Sequence, residues 1–541
     1  MLGGYFMKTN AARLRIAGAL FSSVILLSQQ IAIAQNVQSP RSATYARYRN
    51  AGYVPDTLLV ELSENADKDK INDVLEEAHG TVLRTITCGP SLTVLVIATA
   101  KGKSDETARK LAGSGQILGV DRDPIMLADR MACSIPAHNP GRAPGQPPGQ
   151  KPAQNPGKNP GHEPGKQPGK NPGHEPGKNP GHEPGKNPGH EPGQKPGHKP
   201  GHKPGHEPGQ SPASPASSTA PDDRFFSQQW DLDVMQFRQA RQFASMQKRM
   251  VNLMFIDTGV NPVPEELTNV VQYNCTCSNH STPPQEVPFD PIGHGTAVTS
   301  VAAATTNNQI GIAGVSNLEG NRTLVTMLRI ANRGEVGAPL DRVLAALGFL
   351  FESNNTRPGP ITIAWGIDPS FRSLNARRLI QKEAKLLRQK GCLVVLSSGN
   401  GSSDESFQGQ LDSSPELYAR RVTSIAPDGI RSSFADYGPF AAAAPGENIP
   451  VYVGEESVHP KSMVTSSGTS LSAALYSGCI GLVQSFLPAS NDAAEIADRV
   501  IRHQATVTSS GLHVPNLARA LRRALDIAPT GGGTNSGNND D

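Results

Sequence analysis

From Pro136 to Pro221 the chain offers no apolar side chain beyond Ala and Pro. Such a stretch cannot bury enough surface to offset its ordering entropy, so the segments on either side must fold around cores of their own. Its centre repeats Pro-Gly-Lys-Asn-Pro-Gly-His-Glu between about 156 and 193. Pro-Gly recurs every four residues, so the three-residue glycine period of collagen is absent. Residues 134–221 therefore read as a disordered linker, with a mean reach on the order of 50 Å. The linker carries ten Lys/Arg against five Asp/Glu, a balance of +5 in a chain whose net charge is +3. The basic character belongs to this extended segment, and a basic globular face of the kind that binds nucleic acid is not indicated.

Eight of the fourteen histidines lie in the linker: His138, His162, His174, His182, His190, His198, His202 and His206. One reading is a solvated spacer that gains positive charge below about pH 6.5. The other is a loose, weak binder of Zn, Ni or Cu, because chelation by an unordered chain must offset its entropy.

Lys8, Arg13 and Arg15 border a short apolar run at 16–27, and Ala32-Ile33-Ala34 puts small residues where a signal peptidase reads. A signal peptide over 1–34 and a secreted product are expected, with Met7 as an alternative start. An uncleaved anchor is the other reading. No second apolar stretch reaches spanning length. Six cysteines do not make a dense disulfide framework. Cys392 and Cys479 sit in apolar runs and read as buried thiols. Cys275 and Cys277 could pair only in a strained ring, and His280 is the one other metal-ligand type nearby. Cys88 and Cys133 receive no role.

Residues 51–130 form the first folded unit. Strands are expected at 56–62, 80–84, 92–97 and 117–120, with helices at 67–79 and 105–113. The order βαββαβ predicts a small ferredoxin-like α+β domain. From 222 to 528 apolar runs alternate with helical patterns, as in a parallel sheet covered on both faces. Strands are expected at 251–256, 324–330, 361–364 and 393–396, and helices at 294–303, 340–351, 375–389 and 470–487. Residues 529–541 are a polar tail expected to be disordered.

Three short motifs carry chemistry: Ile256-Asp257-Thr258-Gly259, Gly293-His294-Gly295-Thr296 and Ser467-Gly468-Thr469-Ser470. They supply a carboxylate, an imidazole and a hydroxyl, the groups that activate a serine for attack on a carbonyl. Asp257 ends a strand, where doubly wound folds place ligands. Glycines on both sides of His294 permit close backbone approach, and Ser470 opens a helix at its positive end. Asp-Thr-Gly also serves aspartic proteases, which need two copies; this chain has one.

The order Asp…His…Ser is that of subtilisin. With Leu396-Ser397-Ser398-Gly399-Asn400-Gly401 and the entry segment Phe225-Phe226-Ser227-Gln228-Gln229-Trp230, it makes 222–528 resemble the catalytic domain of subtilases, S8-type serine peptidases. The resemblance implies a subtilisin-like doubly wound α/β fold and a secreted serine endopeptidase acting on polypeptides. It implies Asp257, His294 and Ser470 as the triad and Asn400 as the oxyanion donor. It implies Ala364, Trp365 and Gly366 on one substrate-binding edge and Gly334 and Gly337 on the other. The first unit is similar to subtilase prodomains, through His79-Gly80-Thr81-Val82 and Val120-Asp121-Arg122-Asp123, which implies an intramolecular chaperone and inhibitor. Its tail near 129–131 is expected in the active site, and the chain is expected to process itself, either there, which would leave the repeat arm on the enzyme, or near Ala220, which would remove it. No cofactor is required, and structural calcium, common in the family, is not compelled by any acidic loop. The sequence departs from the family at Ala474, usually proline, at Ala297, usually histidine, and at Ser300, usually glycine. Two other functions stay open: a catalytically inactive binding protein on this fold, and a surface or metal tether acting through the His-rich arm.

Overall fold

The computed structural model describes residues 52–128, 132–134 and 220–527, apart from 262, 264, 277–288, 333–334, 336, 355, 368–373, 405–417, 439, 441 and 454–462. The expected signal segment, the repeats and the C-terminal tail lie outside these residues, as do Cys277 and Gly334.

The first part runs β1 (Tyr53–Leu62), α1 (Lys68–Glu77), β2 (Thr81–Thr87), β3 (Thr93–Ala98), α2 (Ser104–Ala112) and β4 (Ile117–Ala128). This is the expected βαββαβ order. Asp67 starts α1 by accepting the Asp69 N–H at 3.0 Å. The strands form an antiparallel sheet in the order β4-β1-β3-β2. Strand alternation sends Leu58, Val60, Leu62, Leu95 and Ile97 toward one core, shared with Ile71, Leu75 and Leu111 of the two helices. The alternate residues Leu59, Val94 and Val96 join Ile86, Leu92 and Met126 in the core of the second part. Both faces of this small sheet are therefore apolar and covered.

A short strand, β5 (Ala132–Ser134), precedes the second part. There the chain forms β6 (Val251–Asp257), β7 (Val270–Asn274), α3 (His294–Ala303), β8 (Thr323–Arg329), β9 (Gly337–Pro339), α4 (Leu340–Glu352), β10 (Gly359–Ile363) and β11 (Trp365–Ile367). It continues with α5 (Leu374–Gln389), β12 (Cys392–Ser397), β13 (Ala419–Ile425), β14 (Ala442–Pro445), β15 (Ile449–Tyr452), β16 (Met463–Ser467), α6 (Thr469–Phe486), α7 (Ala493–Gln504) and α8 (Leu517–Ile527). The main sheet has the order β14-β13-β12-β10-β6-β8-β7, with every pair parallel. A parallel sheet needs cover on both faces, which explains why Leu253, Met254, Phe255 and Ile256 are consecutive and all buried. The chain fills β7 and β8 on one side of β6, then crosses to β10 and beyond on the other. This reversal makes the β6/β10 boundary a topological switch point, with the crevice at the strands' carboxyl ends. Cys392 and Cys479 are buried free thiols, as expected.

β4 runs eight residues past its expected end at Val120. Its last residues leave the first sheet and lie between two edges of the second part. Ile125, Met126 and Leu127 pair with Pro339, Ala338 and Gly337 of β9. Met126, Leu127 and Ala128 pair with Ile367, Gly366 and Trp365 of β11. β5 then pairs with β16, Ala132 opposite Ser467. Main-chain pairing overrides the polar run Asp121-Arg122-Asp123-Pro124, which carries no strand signal.

Polar contacts tie the two parts across the same seam. Glu61 pairs with Lys382, and Arg84 with Asp341 at 3.3 Å. The Gly89 N–H donates to Glu352 Oε1 at 3.0 Å. Asp123 Oδ1 accepts the Asp341 N–H at 3.1 Å, in the first turn of α4. Burial, and the Asp341 carboxylate beside it, push the Asp123 carboxyl well above the usual range.

Candidate active site

β6 delivers Asp257 to the crevice at the switch point. Asp257 Oδ1 accepts the Thr258 N–H at 2.7 Å and lies 2.7 Å from His294 Nδ1. His294 Nε2 lies 3.1 Å from Ser470 Oγ. The Ser470 hydroxyl also has the Ala364 carbonyl oxygen in reach, at 3.2 Å. All three side chains are buried in the uncut chain. Asp257 Oδ2 is buried without a hydrogen-bond partner, so the imidazole and one amide answer its charge. The Trp365 ring stands edge-on to His294, centroids 6.2 Å apart, and walls that side of the imidazole.

Local sequence explains the approach of α3 to β6. Gly293 precedes α3 at φ 90°, in the left-handed region that favours glycine. A Cβ on Gly295 would stand 2.1 Å from the Gly259 carbonyl oxygen, so only glycine lets the Asp and His segments pack this closely. The Gly295 N–H also donates to Thr258 Oγ1 at 2.7 Å.

Sequence reasoning missed Asp290, a buried carboxylate that fastens this turn. Its Oδ1 accepts the N–H groups of Ile292 (3.0 Å) and Gly293 (2.8 Å). Its Oδ2 accepts the N–H and the hydroxyl of Thr296, both at 2.8 Å. Asn261, four residues past Asp257, exchanges two hydrogen bonds with the Asp290 backbone, at 3.1 and 2.9 Å. The signal available was an acidic residue four positions before the histidine, in the loop that leads into it. Burial pushes the Asp290 carboxyl up, against four hydrogen bonds that favour its ionised form.

Asn400 follows β12 and is oriented by the residue before Ser470. The Thr469 N–H and hydroxyl both donate to Asn400 Oδ1 at 3.0 Å. With its oxygen held there, the amide turns its NH2 end the other way. Trp365, Gly366 and Gly337 lie on the two edges that grip 126–128. The structure thus brings together Asp257, His294, Ser470, Asn400, Ala364, Trp365, Gly366 and Gly337; Gly334 is outside the described residues. The departures are absorbed locally. The Ser300 hydroxyl donates to Ala297 O at 2.7 Å and accepts the Tyr452 N–H at 3.2 Å, tying α3 to β15. Ala474 lies inside α6, a helix buried along its whole length. Among the described residues no group of three or more His, Cys, Asp or Glu is placed to hold a metal ion. No described helix is long and apolar enough to cross a membrane.

A carboxylate, imidazole and hydroxyl in line, at the switch point of a doubly wound sheet, define the arrangement of a serine hydrolase. Residues 250–521 match the subtilase family. The chain is 29% identical over 215 residues to the extracellular basic protease of Dichelobacter nodosus, covering 39% of this chain and 34% of that protein. It is 26% identical over 271 residues to thermitase of Thermoactinomyces vulgaris, covering 49% of this chain and 85% of thermitase. Among solved structures it resembles fervidolysin from Fervidobacterium pennivorans, a keratinolytic enzyme related to subtilisin. That match has a TM-score of 0.55 at 14% identity, over 88% of this chain and 62% of the other. The epidermin leader peptide processing serine protease of Staphylococcus aureus matches with a TM-score of 0.52 at 15% identity, over 87% of this chain and 99% of the other. At these identities the structural likeness speaks for the fold alone. The chain belongs to the subtilase family, the subtilisin-like serine peptidases.

Proposed function

We propose that this chain is a secreted serine endopeptidase made as a self-processed zymogen. Ser470 Oγ attacks the scissile carbonyl while His294 Nε2 takes its proton. Asp257 holds the His294 tautomer and stabilises the imidazolium. The Asn400 amide and the Ser470 N–H receive the developing oxyanion, a donor of this kind contributing about 3 kcal/mol. The tetrahedral intermediate collapses: the C–N bond breaks, His294 protonates the departing amine, and the acyl group stays on Ser470 Oγ. Water, deprotonated by His294, then releases the acid.

The observation that carries this reading is the path of the chain's own polypeptide. Residues 126–128 lie strand-paired beside Ser470 on one side, and 132–134 lie paired on the other. Self-cleavage is therefore expected at a bond between 128 and 132. The first part acts as an intramolecular inhibitor, its last strand filling the cleft in an antiparallel addition of the kind that binds extended peptides. The signal-like N-terminus supports secretion.

The test is the Ser470→Ala chain beside wild type. Wild type reacts with a fluorophosphonate probe and is recovered in two pieces, cut between 128 and 132. Ser470→Ala stays intact and unlabelled while keeping its fold. Processing of the Ser470→Ala chain at the same bond, in purified form, overturns the assignment. An unlabelled, uncut but folded wild type favours a non-catalytic binding protein on this fold.

A further inference from the structure

We propose that β16 is a docking strand for the segment just downstream of the self-cleavage point, so that after the cut the start of the linker plugs the leaving-group side of the active site in cis. The proposal rests on the serine-peptidase reading above and adds a layer of regulation to it.

The register places the plug. Ala132, Cys133 and Ser134 lie opposite Ser467, Ser466 and Thr465 in an antiparallel pair. Ser467 is three residues before Ser470, so this pairing begins beside the nucleophile. The far edge of β16 is already taken by β15, through four pairs from Ile449↔Ser466 to Tyr452↔Met463. β5 therefore completes a three-stranded sheet, and its removal leaves β16 with an open row of main-chain donors and acceptors. The edge is held rigid: the Asn448 N–H donates to Ser467 Oγ at 2.9 Å, and the Gly468 N–H to Gly446 O at 2.8 Å. Pairing through the main chain selects an extended peptide of almost any sequence.

Connectivity makes the two cut ends unequal. Cleavage between 128 and 132 turns the upstream strand into the end of a separate polypeptide, free to leave by dilution. The downstream strand stays joined to the catalytic part through the linker. Residues 135–219 are Gly/Pro-rich and long, so they hold the strand near its site at an effective concentration in the millimolar range. A substrate that extends past the scissile bond must displace this plug to pair with β16. A substrate with a small leaving group need not.

The test compares two substrates of the processed full-length enzyme, one sequence carried either as a p-nitroanilide or as a peptide extended four residues beyond the scissile bond. Cys133→Pro with Ser134→Pro removes one inward main-chain donor whichever of the two faces β16, and puts no proline at the bonds between 128 and 132. That variant is expected to lower KM for the extended peptide by roughly three- to tenfold, the gain expected on removing a tethered competitor. Its kcat and its p-nitroanilide kinetics stay unchanged. A second variant keeps 132–134 intact and carries a recognition sequence for a specific protease within 156–193. Severing its arm after maturation produces the same fall in KM. An extended-peptide KM unaffected by severing the arm overturns the proposal, as does a processed enzyme whose N-terminal sequence begins beyond Ser134. Failure of the underlying reading looks different: no form of the enzyme then turns over the p-nitroanilide.

Discussion

Replacing Asp123 by asparagine tests how the two parts let go of each other. The Asp123 side chain is 2% exposed and belongs to the first part, yet it caps the first turn of α4 in the second. Facing it are Asp341, Arg84 and Arg342, and its carboxyl is pushed well above the usual range, by burial first and by Asp341 second. Once the first part is severed and released, this side chain regains water and a carboxyl pKa of about 4. The sign follows. The complex holds a proton that the free domain gives up, so association is strongest below about pH 4 and weakens as pH rises toward the bound-state value. Each pH unit in that window costs about 1.4 kcal/mol, close to tenfold in affinity. Within that window the inhibition constant of the severed first part, added back to processed enzyme, should therefore rise with pH, by at most about tenfold per unit. Asp123→Asn carries no titrating proton and should flatten this rise to less than about threefold, while the Glu61–Lys382 and Arg84–Asp341 pairs remain. An inhibition constant that is level in wild type, or that rises equally in both proteins, refutes the reasoning.

Three further outcomes are expected. Asn400→Ala should lower kcat by about 10²–10³ with little change in KM, since the lost amide acts on the oxyanion; an equal rise in KM would assign it to ground-state binding. Asp290→Asn keeps the shape but weakens the four hydrogen bonds that fix the turn before His294. It should lower kcat at least about tenfold through misplacement of the imidazole and displace the acid limb of the pH–rate profile; an unmoved limb would mark a purely structural role. Glu266 has burial as the main cause of a carboxyl pKa raised to about 8, with Tyr452 donating to its Oε1 at 3.1 Å. Stability held below about pH 4.5 should fall by about 1.4 kcal/mol per unit as pH rises to 8, and thermal melts of Glu266→Gln should lack that slope.

The sequence disclosed the site more fully than the sheet around it. Asp257, His294, Ser470 and Asn400 sit in motifs whose glycines and strand ends are local, so their roles are readable without the fold. The βαββαβ order was readable for the same reason. β14 was not, because Ala442-Ala443-Ala444 lacks the β-branched and aromatic residues that mark strands, and in β13 the charged opening Ala419-Arg420-Arg421 obscures the Val422-Thr423-Ser424-Ile425 that follows. The end of β4 and all of β5 were hidden because only pairing with β9, β11 and β16 makes them strands. Asp290 escaped because it contacts no reacting group and acts through backbone N–H groups. One clue went unused. The run Leu92 to Ile97 has too many apolar residues for a sheet wet on one side, and its second face is where the catalytic part docks.

That doubly greasy sheet gives maturation a direction. If the proposed processing cuts it loose, the small domain carries Leu59, Ile86, Val94 and Val96 into water. On the proposed reading, a brake lost in this way would not be rebuilt, so each molecule would be switched on once and not reset.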